Sequence, residues 1–491
     1  MIIMTKIKIP SILKKMNAIF SANGYEAYLV GGAVRDIIRG KKASDWDIAT
    51  NAKPEDVKRI FKKVIPTGIE HGTVTVHFMG AEIEVTTYRT ETDYSDGRHP
   101  DAVKYAATIE EDLSRRDFTM NAIAASLNDG KIEDPFNGET DIKNRIIRTV
   151  GNADERFSED GLRPVRAVRF AAQTGFDIEE NTLKAIPRAE NVTARISIER
   201  FRDEFVKLLS SDMPSRGLRL MEETGILKRF LPELADCRNV LQADERGFHK
   251  FDVLDHLFYA CDGAAWLQNE RKAEPDVNVR MAALFHDIAK PLVKKTEHKA
   301  LDPQHPEKIS EIYTFFNHDI KGAEVTEKIL ERLRFPKSTV RYVAHLVKQH
   351  MFFYESTWTD AAVRRFIVRI TPPKSENGDF SQVMQALNDL FDLRIADVCG
   401  MQGTPAILRK GPWSDNLMEL KERIEKLSAQ ATALSLKDLA VSGKDLMEIG
   451  IPAGKTLGLI LNELLETVID SPEQNTKESL LKIAAKKAEK L

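Results

Sequence analysis

The chain has 491 residues, 42% of them hydrophobic and 30% charged, and a formal net charge of −3. Such a length exceeds a single ordinary core and predicts two to four domains, and the balance fits a globular chain rather than a disordered one. No apolar run reaches the ~18 residues needed to cross a bilayer, so no membrane partner is expected. Three widely spaced cysteines, Cys237, Cys261 and Cys399, match neither a disulfide framework nor a zinc-ligand spacing, which favours a cytoplasmic setting. The near-neutral charge excludes a uniformly basic nucleic-acid binder but not a local patch, and arginines crowd the stretch from Arg145 to Arg202.

Taken in chain order, the opening MIIMTKIKIPSILKKMNAIF reads as a short lead-in and an amphipathic helix, not a signal peptide. Residues 1–150 then mix both element types. AYLV, TVTVHFM and AEIEVTTYR carry strand alternation, whereas AVRDIIRG and PEDVKRIFKKV carry helical spacing. From 151 to 236 the pattern is helical. It is helical again over 240–400, with looser stretches near 242–250 and 299–308. The last part, 401–491, opens on the glycine- and proline-bearing loop MQGTPAILRKGPW and ends in the basic helix LLKIAAKKAEKL. Its glycines at 443, 450, 454 and 458 predict tight turns, and Lys482, Lys486, Lys487 and Lys490 suit nucleic-acid phosphates.

The strongest local signal is YLVGGAVRDIIRGKKASDWDIAT. A strand runs into Gly31-Gly32 and then into a helix carrying Arg35, so the backbone can turn tightly and offer free N–H groups to a phosphate. Asp45 and Asp47 follow. On a strand, their side chains share a face, and two adjacent carboxylates repel unless a cation lies between them. Hard oxygen donors beside a phosphate substrate point to Mg²⁺. A third carboxylate is available in AEIEVTTYR, with Glu84 the first choice and Glu82 the fallback on the same face. The neighbouring Arg115 and Arg116 suit ribose and triphosphate, because guanidinium forks match phosphate oxygens.

These residues stand in an ordered series. GGAVRD with DWDI, then EEDLSRRDFTMNAIA, DPFNGETDI, SEDGLRPVRAVRFAA and RISIERFRDEFVKLL resemble the five motifs of the tRNA nucleotidyltransferase and poly(A) polymerase family, bacterial and eukaryotic class. The resemblance implies an α+β fold: a small mixed-sheet nucleotidyltransferase head over 1–150, then an all-α neck over 151–236, body and tail. It implies that Arg116, Asp117 and Asn121 contact the nucleotide sugar or order the pocket. It assigns base reading to Asp160 and Arg163, with Arg166 and Arg169 in the same nucleotide-binding set. On a helix, Asp160 and Arg163 would share a face. An ionised Asp only accepts hydrogen bonds and an Arg only donates them. Cytosine and adenine each pair an amino donor with a ring-nitrogen acceptor, whereas uracil and guanine leave unpaired groups against that edge. No nucleic-acid template is then needed.

In this family, the segment between the third carboxylate and the second motif is implicated in switching from C to A addition. Here DGRHPDAV looks intact, which favours CCA addition, or A addition alone, over CC addition alone. Further along, DVLDHLFYA, MAALFHDIAKP and LNDLFDLRIADVCG supply His256, His286, Asp287 and Asp397. This order resembles the HD superfamily of metal-dependent phosphohydrolases and implies an HD domain over 240–400 holding a divalent transition metal or Mg²⁺. His318, His345 and His350 are further candidates for a second metal or for phosphate.

The reading is therefore template-independent addition of CCA to the tRNA 3′ end from CTP and ATP, with tRNA as the partner and no obligate protein partner expected. Hydrolysis of RNA-end phosphates by the HD domain is the added expectation, with 401–491 as a helical tRNA-binding tail. The alternatives are an A-adding enzyme working beside a CC-adding one, a poly(A) polymerase, and an HD phosphohydrolase whose head only binds RNA.

Overall fold

The computed structural model describes residues 6–43, 45–68, 72–92, 102–243, 246–247, 249–301, 303–305, 307–372, 380–403, 412–428 and 436–488. The chain divides into two compact units, Met1–Phe230 and Leu231–Leu491. Among the described residues, no helix is long and apolar enough to cross a membrane.

The first unit is built on strands β1 (Ala27–Val30), β2 (Asp47–Thr50), β3 (Val64–Gly68), β4 (Thr73–Phe78), β5 (Ala81–Thr87), β8 (Ala124–Ser126) and β9 (Ile132–Glu133). A separate ribbon pairs β6 (Arg89–Thr92) with β7 (Ala102–Tyr105). The main sheet has seven strands in the order β3-β4-β5-β2-β1-β8-β9, antiparallel except where β2 runs parallel to β5. It is thus a mixed sheet, as expected. Alternation buries Val74, Val76, Ile83 and Val85 on one face and leaves Glu84 on the other. The amphipathic helix Ser11–Ala22 buries Leu13, Met16 and Phe20.

Strand β3 corrects the sequence reading, in which PEDVKRIFKKV ran on as helix. The helix stops at Ile60 and Val64 opens a strand containing Pro66. A proline is tolerated there because β3 lies at the sheet edge, where one side of the strand needs no donor.

Helices Ala153–Glu159, Leu162–Thr174, Glu180–Arg188, Ile198–Leu209 and Pro214–Glu223 complete the unit. Asp160 does not share a helix with Arg163. It has left the helical region (φ −142°, ψ 113°) as the residue that ends the first of these helices. Its Oδ1 accepts the Leu162 N–H at 3.0 Å, which favours a break and restart over continuous helix. Gly161 seals the junction: a Cβ there would lie 2.4 Å from the Val192 carbonyl oxygen.

The second unit is helical, with Val253–Glu270, Val277–Phe285, His318–Arg332, Lys337–Gln349, Asp360–Ile370 and Phe380–Gln402 as its main helices. A hairpin, Lys295–Ala300 with Ile309–Thr314, flanks the stretch expected to be loose. Its first strand, KTEHKA, is mostly exposed and carries no apolar alternation to betray it. The C-terminal helices Gly443–Glu448, Lys455–Asp470 and Lys477–Ala488 share a core of Leu446, Ile460, Leu464, Val468 and Leu480. Of the four glycines expected at turns, Gly450 and Gly454 turn the chain at φ 95° and 126°. Gly443 and Gly458 lie within helices instead.

Candidate active site and a histidine cluster

The first unit holds a cavity of about 810 Å³, lined by most of the head and neck residues singled out in the sequence: Gly31, Gly32, Arg35, Asp45, Asp47, Glu84, Arg115, Arg116, Asp117, Asn121, Asp160, Arg163, Arg166 and Arg169. Sheet order explains the carboxylates. Parallel pairing sets Asp47 directly opposite Glu84, while Asp45 enters from the segment just before β2. Glu82, the fallback, pairs with His77 of β4 at 3.5 Å and is absent from the lining. Burial raises the Asp47 carboxyl above its usual range, and the charge on Glu84 pushes it further. Gly31 is required twice over. Its φ is 70°, and a Cβ there would lie 3.1 Å from Arg116 Nη1 and 3.6 Å from Asp47 Oδ2.

The same cavity is lined by a set of arginines, each held by an acid. Asp112 accepts from Arg115 Nη2 at 2.8 Å and from Arg116 Nη2 at 3.2 Å. Burial opposes its charge, but the two guanidiniums outweigh burial and lower its pKa. Asp117 accepts from Arg166 Nη2 at 2.6 Å and from Asn121 Nδ2 at 3.1 Å. It too is buried, yet these partners hold it at about 2. Asn121 Oδ1 in turn accepts from Arg35 Nη1 at 2.8 Å. Arg169 is 5% exposed, lies over the Phe170 ring and donates to Glu204 at 2.7 Å. Burial brings its pKa down to about 10.

At the junction, Asp160 Oδ2 accepts from Arg200 Nη2 at 2.7 Å. Arg163 is anchored by Glu159, by the Arg156 carbonyl at 2.8 Å and by the Arg115 carbonyl at 3.1 Å. Arg116 Nε and Arg200 Nη1 are buried without a hydrogen-bond partner among the described residues. Both side chains line the cavity, which leaves donors for an anionic ligand. Sequence reasoning missed Asp112 and counted Arg200 only within the arginine-rich stretch, not in the pocket. Asp112 was visible as an acid three and four residues before Arg115 and Arg116. Arg200 meets Asp160 across 40 residues, a contact no local spacing reveals. The DGRHPDAV segment lies mostly outside the described residues.

In the second unit, His256 Nε2 and His286 Nε2 lie 3.0 Å apart, and each faces Asp287 Oδ2, at 3.2 and 3.4 Å. Asp397 Oδ1 lies 3.4 Å from the first and 3.5 Å from the second. All four expected residues are therefore brought together and buried. Burial disfavours charge on His286, but the Asp287 and Asp397 carboxylates raise it to about 10. His318 and His350 join the cluster from the other side of Asp287, at 3.2 and 3.9 Å. His345 does not join, because its Nε2 is occupied by the Ile370 carbonyl at 2.8 Å.

Family models match along the chain: "Poly A polymerase head domain" over residues 27–148, "Probable RNA and SrmB- binding site of polymerase A" over 175–238, "HD domain" over 253–401 and "tRNA nucleotidyltransferase domain 2 putative" over 405–484. A CCA-adding enzyme of Geobacillus sp. (strain WCH70) is 51% identical over 224 residues, 46% of this chain and 55% of the relative. This chain thus matches about half the length of that relative and of the similar ones beside it. The CCA-adding enzyme of Levilactobacillus brevis is 34% identical over 458 residues, 93% of each chain. The crystal structure of the Bacillus stearothermophilus CCA-adding enzyme in complex with CTP superimposes with a TM-score of 0.67 at 28% identity, covering 98% of this chain and 97% of that one. An alignment at 34% identity running nearly end to end, in a chain whose head matches the poly(A) polymerase model and whose tail matches a tRNA nucleotidyltransferase domain, places this chain in the family of CCA-adding enzymes.

Proposed function

We propose that this protein adds CCA to the 3′ end of tRNA from CTP and ATP without a nucleic-acid template. The observation that carries the reading is one cavity lined by three carboxylates, by a set of arginines and by Asp160 and Arg163. The relative crystallised with CTP supports a nucleotide as its occupant.

Asp45, Asp47 and Glu84 would hold divalent cations, with Mg²⁺ the ion their hard oxygens suit. The donor set fits, since a cation would offset the burial and the Glu84 charge that together raise the Asp47 carboxyl. When bound, such ions stabilise charge on the transferring phosphoryl group. The reaction is in-line. The tRNA 3′-oxygen forms a bond to the α-phosphorus of the nucleotide as the bond to the bridging α–β oxygen breaks and pyrophosphate leaves. Gly31 and Gly32 let the backbone approach the phosphates. Arg115 and Arg116, set by Asp112, bind the triphosphate, and Arg35, Asp117, Asn121 and Arg166 order the sugar side. Asp160 and Arg163 accept cytosine and adenine and leave uracil and guanine unpaired. Arg169 supports Arg166 from beneath through shared Glu204. Positioning and charge account for the catalysis, with no covalent enzyme intermediate.

A second activity, hydrolysis of phosphate esters at RNA ends, is proposed for the buried His256, His286, Asp287 and Asp397 cluster, which has the donors for a divalent ion. The experiment for the main reading offers each of the four nucleotides alone to a tRNA lacking CCA. Incorporation of CTP, and of neither UTP nor GTP, is expected. Equal use of UTP would remove base reading from Asp160 and Arg163.

A further inference from the structure

Two helices of the first unit begin at the cavity and are joined again at their far ends. The helix Gly32–Ile38 starts at the Gly31-Gly32 turn, and Leu162–Thr174 starts beside Asp160 and carries Arg163 and Arg166. Arg39, which closes the first, and Thr174, which ends the second, are not among the residues lining the cavity. Yet Arg39 Nη2 donates to the Thr174 carbonyl at 3.0 Å, and its guanidinium lies 4.9 Å from the centre of the Phe176 ring. The Arg39 side chain is 13% exposed, so it is built into the fold rather than offered to RNA.

The last carbonyls of a helix have no donor within it and carry the negative end of its dipole, which suits a guanidinium. This turn takes three. Arg145 Nη2 donates to the Gly175 carbonyl at 3.2 Å, and Arg216 Nη2 donates to the Phe176 carbonyl at 3.0 Å. Of the three, Arg39 alone extends the helix that begins at Gly31-Gly32. A second tie between the same two helices lies one turn nearer the cavity, where the Arg35 guanidinium stands 5.2 Å from the centre of the Phe170 ring. Arg35 and Arg39 are four residues apart, as are Phe170 and Thr174, so each helix contributes about one turn between its two contacts. Asp36 sets the spacing, accepting from Arg35 Nε at 3.0 Å and from Arg39 Nη1 at 3.4 Å.

One contact between two helices leaves their crossing angle adjustable, whereas two contacts a turn apart on each define it. The angle matters because of leverage. Arg163 precedes Phe170 by seven residues, roughly 10 Å along the helix axis, so a tilt of about 6° about Phe170 moves it by ~1 Å. A misplacement of that size can cost a reaction about a hundredfold. We infer that Arg39 is a positioning residue for base selection. It fixes the angle at which Arg163 meets a nucleotide whose phosphates lie at the Gly31-Gly32 turn, and the inference rests on the CCA-adding reading above.

The test measures kcat and KM for CTP and for UTP on a tRNA ending before CCA, with Mg²⁺, for the full chain and its variants. Arg39→Met keeps the stem and removes the guanidinium. It should lower the preference for CTP over UTP roughly tenfold, through kcat, with KM for CTP changed by less than about twofold. Arg39→Lys, which still offers a donor to the carbonyl, should restore most of the preference. Arg216→Met removes a guanidinium from the same turn but from the helix Pro214–Glu223. It should lower the melting temperature and leave the preference unchanged. Circular dichroism checks folding, and Arg39→Gln serves if Arg39→Met does not fold, with a loss in the same direction. Unchanged preference in the Arg39 variant would reduce this residue to a helix cap and overturn the inference while the CCA-adding reading stands. An equal loss in Arg216→Met would assign the effect to a loosened turn and overturn it too. Wild-type protein using UTP as readily as CTP would sink the base-reading account itself, whatever the variants do.

Discussion

Replacing Asp112 with asparagine keeps the shape of the side chain and removes the charge that holds Arg115 and Arg116. The Asp112 side chain is 1% exposed and those of the arginines 16% and 18%, so little water is at hand to take over. Hydrogen bonds to charged groups contribute roughly 1.5–3 kcal/mol each, and an uncharged asparagine oxygen still accepts one bond from a guanidinium, so a net loss of about 2 kcal/mol follows. That corresponds to roughly a 30-fold change in a local opening equilibrium. Hydrogen exchange of peptides covering residues 109–122 reads it directly, and protection there should fall by about that factor. The pH dependence has a defined sign. Asp112 is held below its ordinary pKa, so its stabilisation is full above the unfolded value near ~3.9 and is lost as pH falls through the lower folded one. Wild type and Asp112→Asn should therefore differ at pH 7 and converge in acid. Because both arginines line the cavity, KM for ATP and CTP should rise about tenfold, ~1.4 kcal/mol, while kcat falls less. Unchanged exchange and unchanged KM would refute the idea that this buried acid sets the triphosphate site.

Asp47→Asn should lower nucleotidyl transfer about a thousandfold or more, several kcal/mol of lost charge stabilisation, yet raise metal-free thermal stability at pH 8. The Asp47 carboxyl is shifted upward, so its charged form opposes folding, and the gain should vanish at low pH. Gly161→Ala brings a methyl 2.4 Å from the Val192 carbonyl oxygen and should cost ~1–3 kcal/mol, read as a lower melting temperature together with weaker CTP selection. Arg200→Ala removes the Arg200 partner of the Asp160 carboxylate and should increase UTP and GTP misincorporation relative to CTP about tenfold, beyond any loss of binding shared by all four nucleotides, within the ~1–3 kcal/mol range typical of pocket discrimination. Selectivity measured by competing nucleotides decides it, since a purely structural role would weaken all four nucleotides alike.

Much of the site was legible because its chemistry is local. Gly31 and Gly32 had to end a strand, and the same alternation that buries Ile83 and Val85 turns Glu84 outward. What alternation could not supply was the neighbour. Choosing Glu84 over Glu82 depends on β2 lying beside β5 in register, a contact between strands 37 residues apart. The helical reading of Asp160 and Arg163 failed for a related reason. Spacing alone supports a shared face, but the side chain of Asp160 competes for the Leu162 N–H, and Gly161 packs against a distant carbonyl. In the second unit, the HD pattern picked out four residues that the fold does bring together in space. It gave no ground for separating His318 and His350 from His345, since all three sit in similar helical surroundings. Only the fold shows that His345 spends its Nε2 on a backbone carbonyl. The polar hairpin Lys295–Ala300 and Ile309–Thr314 was invisible because its mostly exposed first strand lacks apolar periodicity.

The most direct test of the central claim uses three tRNA transcripts, ending before CCA, after C and after CC. Each is incubated with Mg²⁺ and CTP, ATP or both, beside a protein carrying Asp45→Ala and Asp47→Ala. The account expects the first transcript to be extended by CCA and no further, and the substituted protein to add nothing. Addition of a single A to the CC-ended transcript alone, or long A tails on any RNA, would contradict it.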